Sequence, residues 1–369
     1  MRIGIDLLWV RVGICGGTES FIRNLLDGFA EYDRENEYVL FVAKDNQYSF
    51  TKYEKYKNMT LKECNVFCAS AAKRIVWENL HLDREAGKEN LDVMFIPVYS
   101  KPVTYGSKIP YISVIHDLQA LHYPEYFSLK RRLFLKMIWW YACKSSKRVI
   151  TISNYCKEDL IKHYPFVKNK IETIYDPVLT KHSEMKMEEL EEKYQIVAEQ
   201  YFYCVSSMLP HKNLDTIFKV MQKRKAKGMT MEKLVLSGVG GEEEKVRKII
   251  QELGIEKLVV LTGFVSDAER DCLYENCRMF LFPSIFEGFG MPPIEAMRKG
   301  KNVVMTDKTC LKEVTEGKAI YVENPFDVEE WMKRIEQAKE TQPKVEKFER
   351  YNPENIVAAY CKAFEVAVR

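Results

Sequence analysis

The chain is expected to be an α/β protein with two parallel sheets and helical crossovers, and three observations lead there. Short apolar runs alternate with amphipathic stretches along most of its length, the pattern of strands joined by covering helices. The alternation begins twice, near Met1 and again at Tyr201, on either side of a Glu- and Lys-dense connective stretch at 183–200 that follows Asp176-Pro177. A length of 369 residues suits two domains better than one.

Strands are expected at residues 2–7, 38–42, 93–96, 111–115 and 148–152, then at 201–205, 233–236, 258–261, 279–282, 302–305 and 319–322. The first run leads into Gly13-Ile14-Cys15-Gly16-Gly17-Thr18-Glu19-Ser20, followed by Phe21, Ile22, Leu25, Leu26 and Phe29 on one helical face. A tail at 351–369 places Ile356, Tyr360, Phe364 and Val368 at helical spacing after a turn at Asn352-Pro353.

Composition excludes several classes. Residues 1–180 carry five net positive charges and the remainder two net negative, too small a bias to argue for nucleic acid. The ten cysteines form no Cys-x-x-Cys pair, and Cys64/Cys68 and Cys272/Cys277 lack partners at metal-site spacing, so buried reduced thiols are expected. No signal-peptide core opens the chain, and no run approaches the roughly 18 apolar residues of a membrane span. A cytoplasmic protein is expected.

The most informative stretch runs from Arg278 to Gly300. An apolar run stops at Pro283, and Pro292-Pro293 are expected to open a helix that Gly300 closes. Glu287 precedes Gly288 and Gly290, and Glu295 falls on the expected first helical turn. A glycine-containing loop feeding a helix start offers N–H groups and the positive dipole end to a phosphate. Carboxylates beside a diphosphate raise its energy unless hydroxyls lie between them, and a vicinal diol accepts that role through charge-assisted bonds. A diphosphate with a polyol on each side is a nucleotide-sugar.

From Pro283 to Ala296 the chain matches Pro-Ser-x-x-Glu-Gly-Phe-Gly-x-x-x-x-Glu-Ala, two glutamates separated by seven residues. It thereby resembles the retaining GT-B glycosyltransferases of glycosyltransferase family 4, the group 1 glycosyltransferases. The resemblance implies two Rossmann-like domains facing across a cleft. Residues 1–176 would form the acceptor side, 177–345 the nucleotide-sugar-binding domain, and 346–369 a helix crossing back to the first domain. It further implies that Glu287 holds hexose hydroxyls, Glu295 the ribose diol, and the amides of Gly288, Phe289, Gly290 and Met291 the diphosphate. Lys212, followed by Asn213, would reach the diphosphate, Gly16 and Gly17 would face the donor phosphates, and Gly238 would belong to a loop on the same edge. Backbone around Phe264 and Val265 would meet the base. His116 stands where a strand ends, the place for ligands in open α/β sheets. Asp117 beside it is expected to fix its tautomer, and family resemblance puts it near the donor hexose. His116, Glu287 and Lys212 form the expected catalytic set. Ser206 and His211 depart from the family pattern, where glycine and arginine are usual, which puts a second cationic clamp in doubt.

The expected reaction moves a hexose from a nucleoside-diphosphate sugar to a hydroxyl of a glycan or lipid-linked glycan, in polysaccharide or glycoconjugate biosynthesis. Retention comes from the resemblance, and no hydrolase-type carboxylate pair is required. There is no Asp-x-Asp in the chain, so neither metal nor cofactor is expected. Gly16-Gly17-Thr18-Glu19, His116-Asp117 and Lys212-Asn213 resemble mannosyl- or rhamnosyl-transferring members. An epimerase or hydrolase on the same architecture, or a non-catalytic nucleotide-sugar-binding subunit, remain alternatives. Between Ser128 and Arg148 lie seven basic residues and no acid, interleaved with Phe134, Trp139, Trp140 and Tyr141. This segment is either a peripheral contact with an anionic membrane or a sheet-covering helix with a solvated basic face.

Overall fold

The computed structural model describes residues 1–99, 101–103, 107–180, 182–229 and 231–369. The chain divides into two units, residues 1–178 with 349–369, and residues 179–348. The first unit is built on β1 (Arg2–Asp6), β2 (Glu37–Ala43), β3 (Met59–Cys64), β4 (Val93–Ile96), β5 (Tyr111–Ile115), β6 (Arg148–Thr151) and β7 (Ile171–Thr173), in the order β3-β2-β1-β4-β5-β6-β7. The second has β8 (Tyr201–Val205), β9 (Lys233–Ser237), β10 (Val259–Gly263), β11 (Met279–Phe282), β12 (Val303–Thr306) and β13 (Ile320–Val322), in the order β10-β9-β8-β11-β12-β13. Every pairing is parallel, with Ile3 opposite both Tyr38 and Val93, and Phe202 opposite Met279. Both units are Rossmann-like.

Central strands such as β4 and β11 are buried at every position because helices cover both sheet faces, which is why they read as unbroken apolar runs. The strand order reverses between β1 and β4 in one sheet and between β8 and β11 in the other. Loops leaving the carboxyl ends of such neighbours diverge, and the gap they leave is where ligands bind in this kind of sheet.

All eleven expected strands are present, and β3 and β7 are additional. Both lie at the sheet edges. β3 (Met-Thr-Leu-Lys-Glu-Cys) keeps its middle four residues at least partly exposed, and β7 has only three residues. Neither shows the apolar run by which buried strands are recognised. All ten cysteines are free, eight of them buried. Among the described residues no helix is long and apolar enough to cross a membrane.

The last helix, Pro353–Val368, packs in the first unit against the helix Gly17–Tyr32. Tyr360 and Phe364 meet Phe29 at ring centroid distances of 6.0 and 5.9 Å, and Phe95 of β4 at 5.4 and 5.6 Å. Edge-to-face aromatic contacts of this kind add to the burial of large apolar rings. Phe364→Ala should therefore lower the unfolding free energy by about 3–5 kcal/mol. Urea denaturation of the full chain checks it; a loss below about 1 kcal/mol would mean that the helix contributes little to the first unit.

Candidate active site

At the β8/β11 reversal, two loops are brought together. β8 continues to the single turn Pro210–Lys212, and then to Asn213, whose left-handed backbone (φ 53°) turns the chain into the helix Leu214–Ala226. β11 continues into the Pro283–Gly290 loop. Lys212 Nζ lies 2.6 Å from Glu287 Oε1, with both side chains largely covered. The loops are laced beneath that pair. The Ile285 amide donates to the His211 carbonyl at 2.8 Å, and Ser284 Oγ donates to the same oxygen at 3.3 Å. Asn213 donates through Nδ2 to the carbonyls of Pro325 (2.8 Å) and Pro283 (3.4 Å), while its Oδ1 accepts from Thr216. Its buried amide thus holds the two loops in register.

Glu287 is positioned by residues with no motif of their own. Its amide hydrogen-bonds Thr309 Oγ1 at 3.2 Å, and the Cys310 thiol donates to the carbonyls of Glu287 and Phe289 at 3.3 and 3.1 Å. Gly290 has φ 96°, and a Cβ there would meet Leu311 Cδ2 at 2.9 Å, so glycine is required at this turn.

The helix begins at Met291, one residue before the expected Pro292, and runs to Arg298. Pro292 and Pro293 occupy its second and third positions and remove two of the N–H groups a helix start ordinarily offers. The N–H-bearing backbone ahead of these prolines is that of Gly288 to Met291. Glu295 is the fifth helical residue and lies beyond the first turn, contrary to expectation, so complementing the helix dipole does not account for it. Its Oε2 accepts from the Tyr274 hydroxyl at 3.0 Å. Burial pushes its carboxyl up, opposed by the charge of Arg270 and by the Tyr274 bond. Oε1 has no partner among the described residues.

The neighbouring loops are stitched to these. Ser206 N donates to Ser237 O, and Gly238 N to Gly263 O, each at 2.9 Å. Gly238 (φ 92°) leaves no room for a Cβ, which would sit 2.8 Å from the Ser206 carbonyl. Phe264 presents its ring to solvent beside Val265 and lies against Gly240. His211 is buried, and desolvation together with the charge of Lys212 pulls it down to about 4. It is neutral near pH 7, so Lys212 alone supplies the positive side chain of this turn.

In the first unit, His116 follows β5 directly. Its Nε2 lies 2.8 Å from the Pro97 carbonyl and its ring stands edge-on to Phe21 at 5.0 Å. Burial pulls it down to about 4, so it is neutral, and because a carbonyl can only accept, Nε2 carries the proton. The tautomer is thus set by Pro97 and not by Asp117, whose Oδ1 accepts from the Gln119 amide at 2.9 Å. Gly16 (φ 56°) precedes the helix that Gly17 begins, and both are exposed. Glu19 holds their loop by accepting from the Gly13 amide at 2.9 Å while pairing with Arg23 at 2.8 Å. Among the described residues no three His, Cys, Asp or Glu side chains gather as metal ligands.

Two Rossmann-like units, the second with a lysine-carboxylate pair and a glycine loop at its strand reversal, define the GT-B class. Solved structures agree. The Anabaena protein Alr3699/HepE in complex with UDP and glucose superposes with a TM-score of 0.69 at 18% identity, covering 99% of this chain and 96% of that one. WaaG, a glycosyltransferase involved in lipopolysaccharide biosynthesis, superposes with a TM-score of 0.68 at 14% identity, covering 98% and 94%. Residues 15–182 match the model of Glycosyltransferase Family 4, and residues 186–355 that of Glycosyl transferases group 1. The chain belongs to glycosyltransferase family 4. It is 29% identical over 239 residues to the O-antigen chain mannosyltransferase RfbU of Salmonella typhimurium, a match covering 64% of this chain and 63% of that protein. It is also 29% identical over 226 residues to O-antigen chain mannosyltransferase B of Escherichia coli, covering 59% and 58%. These matches span less than two thirds of either relative.

His116 gives a pH prediction. Its folded value near 4 lies below the ordinary 6.5, so between those values the unfolded chain binds more protons and stability falls as pH drops through the window. The loss amounts to up to about 3 kcal/mol by pH 4. Side-chain nitrogen NMR should show a neutral Nε2–H ring at pH 6; a midpoint near 6.5 would contradict the burial argument.

Proposed function

We propose that the protein transfers a hexose from a nucleoside-diphosphate sugar to a hydroxyl of a glycan or lipid-linked glycan, with retention, in the assembly of a polysaccharide or glycoconjugate. The Lys212–Glu287 pair at the β8/β11 reversal carries this reading. An ammonium group there stabilises charge developing on the departing diphosphate, and the Gly288 to Met291 backbone adds oriented dipoles. Glu287 accepts hydrogen bonds from hexose hydroxyls, and the open Oε1 of Glu295 accepts from the ribose diol. Neutral His116 offers the Nδ1 lone pair to a sugar hydroxyl. Lys212 and the loop amides take the role a divalent ion plays elsewhere, so no metal is required. The mannosyltransferase names of the relatives favour mannose over rhamnose.

The proposed setting is cytoplasmic, against an anionic membrane. The helix Leu129–Ser145 buries Leu135, Ile138, Trp139, Ala142 and Cys143. Leu129, Leu133, Met137 and Trp140 recur at three- and four-residue spacing on the opposite face, 48–65% exposed. Lys130, Arg132, Lys136 and Lys144 flank that apolar stripe, an arrangement suited to the headgroup boundary of an anionic bilayer.

Calorimetry against a donor panel including GDP-mannose and dTDP-rhamnose, followed by analysis of the product anomer, tests the reaction. Glu287→Gln and Lys212→Ala should each lower kcat by about 10²-fold or more. Rapid acceptor-independent release of a free or epimerised sugar would favour a hydrolase or epimerase. Turnover should persist in excess chelator; its abolition with rescue by manganese would refute metal independence. Co-sedimentation with anionic but not zwitterionic vesicles, weakened in Leu133→Glu, tests the membrane contact.

A further inference from the structure

Seven non-glycine residues among those described have left-handed backbone, and Thr309 (φ 54°) is the β-branched one. A side chain branched at Cβ crowds the backbone in that region, so a threonine there is a true outlier where an asparagine is merely uncommon. Strain of this kind persists only where the surrounding structure enforces it, and it collects at functional sites. Thr309 stands against the backbone of Glu287.

The contact that goes with the strain is specific. Thr309 lies in the turn between β12 and the four-residue helix Leu311–Val314. Its hydroxyl donates to the Lys308 carbonyl at 2.8 Å and accepts from the Glu287 amide at 3.2 Å. Because the hydroxyl proton is committed to Lys308, a lone pair is left facing Glu287. The Lys308 carbonyl also accepts from the Leu311 amide at 3.1 Å, which fixes the turn. The next two residues meet the same loop, Cys310 through the carbonyls of Glu287 and Phe289 and Leu311 through the space beside Gly290. Changing φ at 309 re-aims its Cβ, and with it the hydroxyl. On the other side of the ion pair, left-handed Asn213 follows Lys212 and reaches the Pro283 carbonyl at 3.4 Å. Each charge is thus adjacent to a left-handed residue bonded to the Pro283–Gly290 loop, and only the threonine is strained by it.

We infer that Thr309 is a positioning residue for Glu287, and that the left-handed backbone at 309 is retained because it aims the hydroxyl at the Glu287 amide. The inference rests on the transferase reading, in which the Glu287 carboxylate meets the hexose hydroxyls. It assigns Thr309 to turnover and not to diphosphate affinity, because in that reading Lys212 and the backbone beyond Glu287 hold the diphosphate. Stability and activity therefore move in opposite directions at this position. A residue serving the fold alone would lower both when replaced.

Three variants of the full chain test it through melting temperature, kinetics and hydrogen exchange. Thr309→Gly relieves the strain and removes the hydroxyl, so its melting temperature should rise by about 2–4 °C. Its kcat with the nucleotide-sugar should nevertheless fall about tenfold or more, with the Kd for GDP or UDP, titrated as probes, unchanged. Thr309→Val keeps the branch and lacks the hydroxyl; it should lose kcat to the same extent without melting higher. Thr309→Ser keeps the hydroxyl and should restore most of the turnover. In the Gly and Val variants the Glu287 amide should exchange its hydrogen faster, while the Ile285 amide, which donates to the His211 carbonyl, should not change. The inference is overturned if Thr309→Gly melts below the native chain, or if Thr309→Val turns over as the native chain does. A native chain that transfers no sugar sinks the transferase reading alone. The melting temperature of Thr309→Gly and the exchange of the Glu287 amide would then still decide whether Thr309 is strained to hold that amide.

Discussion

The ion pair between Lys212 and Glu287 is the interaction on which the candidate site depends. Each charge is largely withdrawn from water, so each needs the other, and removing one partner of such a pair costs far more than the pair contributes net. The constraint is therefore one of position. Lys212 reaches Glu287 only because β8 and β11 are neighbours at the place where the strand order reverses, with Phe202 opposite Met279 and Tyr203 opposite Phe280. A register slip would move the roots of both loops and separate the charges. Sheet topology, loop geometry and electrostatics are thus a single arrangement.

Around that pair the polar groups are organised to hold backbone. Asn213 reaches the Pro283 and Pro325 carbonyls, Ser284 bonds to His211, Thr306 Oγ1 donates to the Ser284 carbonyl at 2.5 Å, and Cys310 grips two carbonyls of the glycine loop. Loops fixed in this way keep their amides oriented before a ligand arrives, which is how dipoles stabilise developing charge without reorganising. Proline at the second and third helical positions fits the same plan, since it stiffens the helix start.

Much of this was legible beforehand, for identifiable reasons. Most of the eleven expected strands are short, largely apolar runs, and the glutamates, glycines and prolines of residues 283–296 stand close together in sequence, so their spacing carries the site. The supports are distant in sequence and carry no pattern. Tyr274 lies 21 positions before the Glu295 it contacts, and Thr309 lies 22 after Glu287. Edge strands β3 and β7 were hidden because a strand paired on one side does not need continuous apolar character. Asp117 was a reasonable partner for His116 by adjacency. A strand alternates its side chains, however, and the carbonyl that reaches the ring comes from Pro97, beyond the neighbouring β4. Trp9 and Arg11 stand more than a hundred residues before Arg131, and only the fold gathers them.

The titratable groups follow one logic in both units. Desolvation disfavours the charged form. It neutralises His116 and His211, and it pushes Asp6, Glu78 and Glu295 up. With both histidines neutral near pH 7, the positive charge at the β8/β11 reversal is concentrated on Lys212, opposite an acid that a ligand's hydroxyls can engage in its place. Where β1 and β4 diverge, by contrast, the acids are buried beside Arg74, and Arg11 and Arg131 have no carboxylate partner among the described residues. The same sheet reversal thus supports a lysine-carboxylate pair in one unit and an arginine- and aromatic-lined cavity in the other.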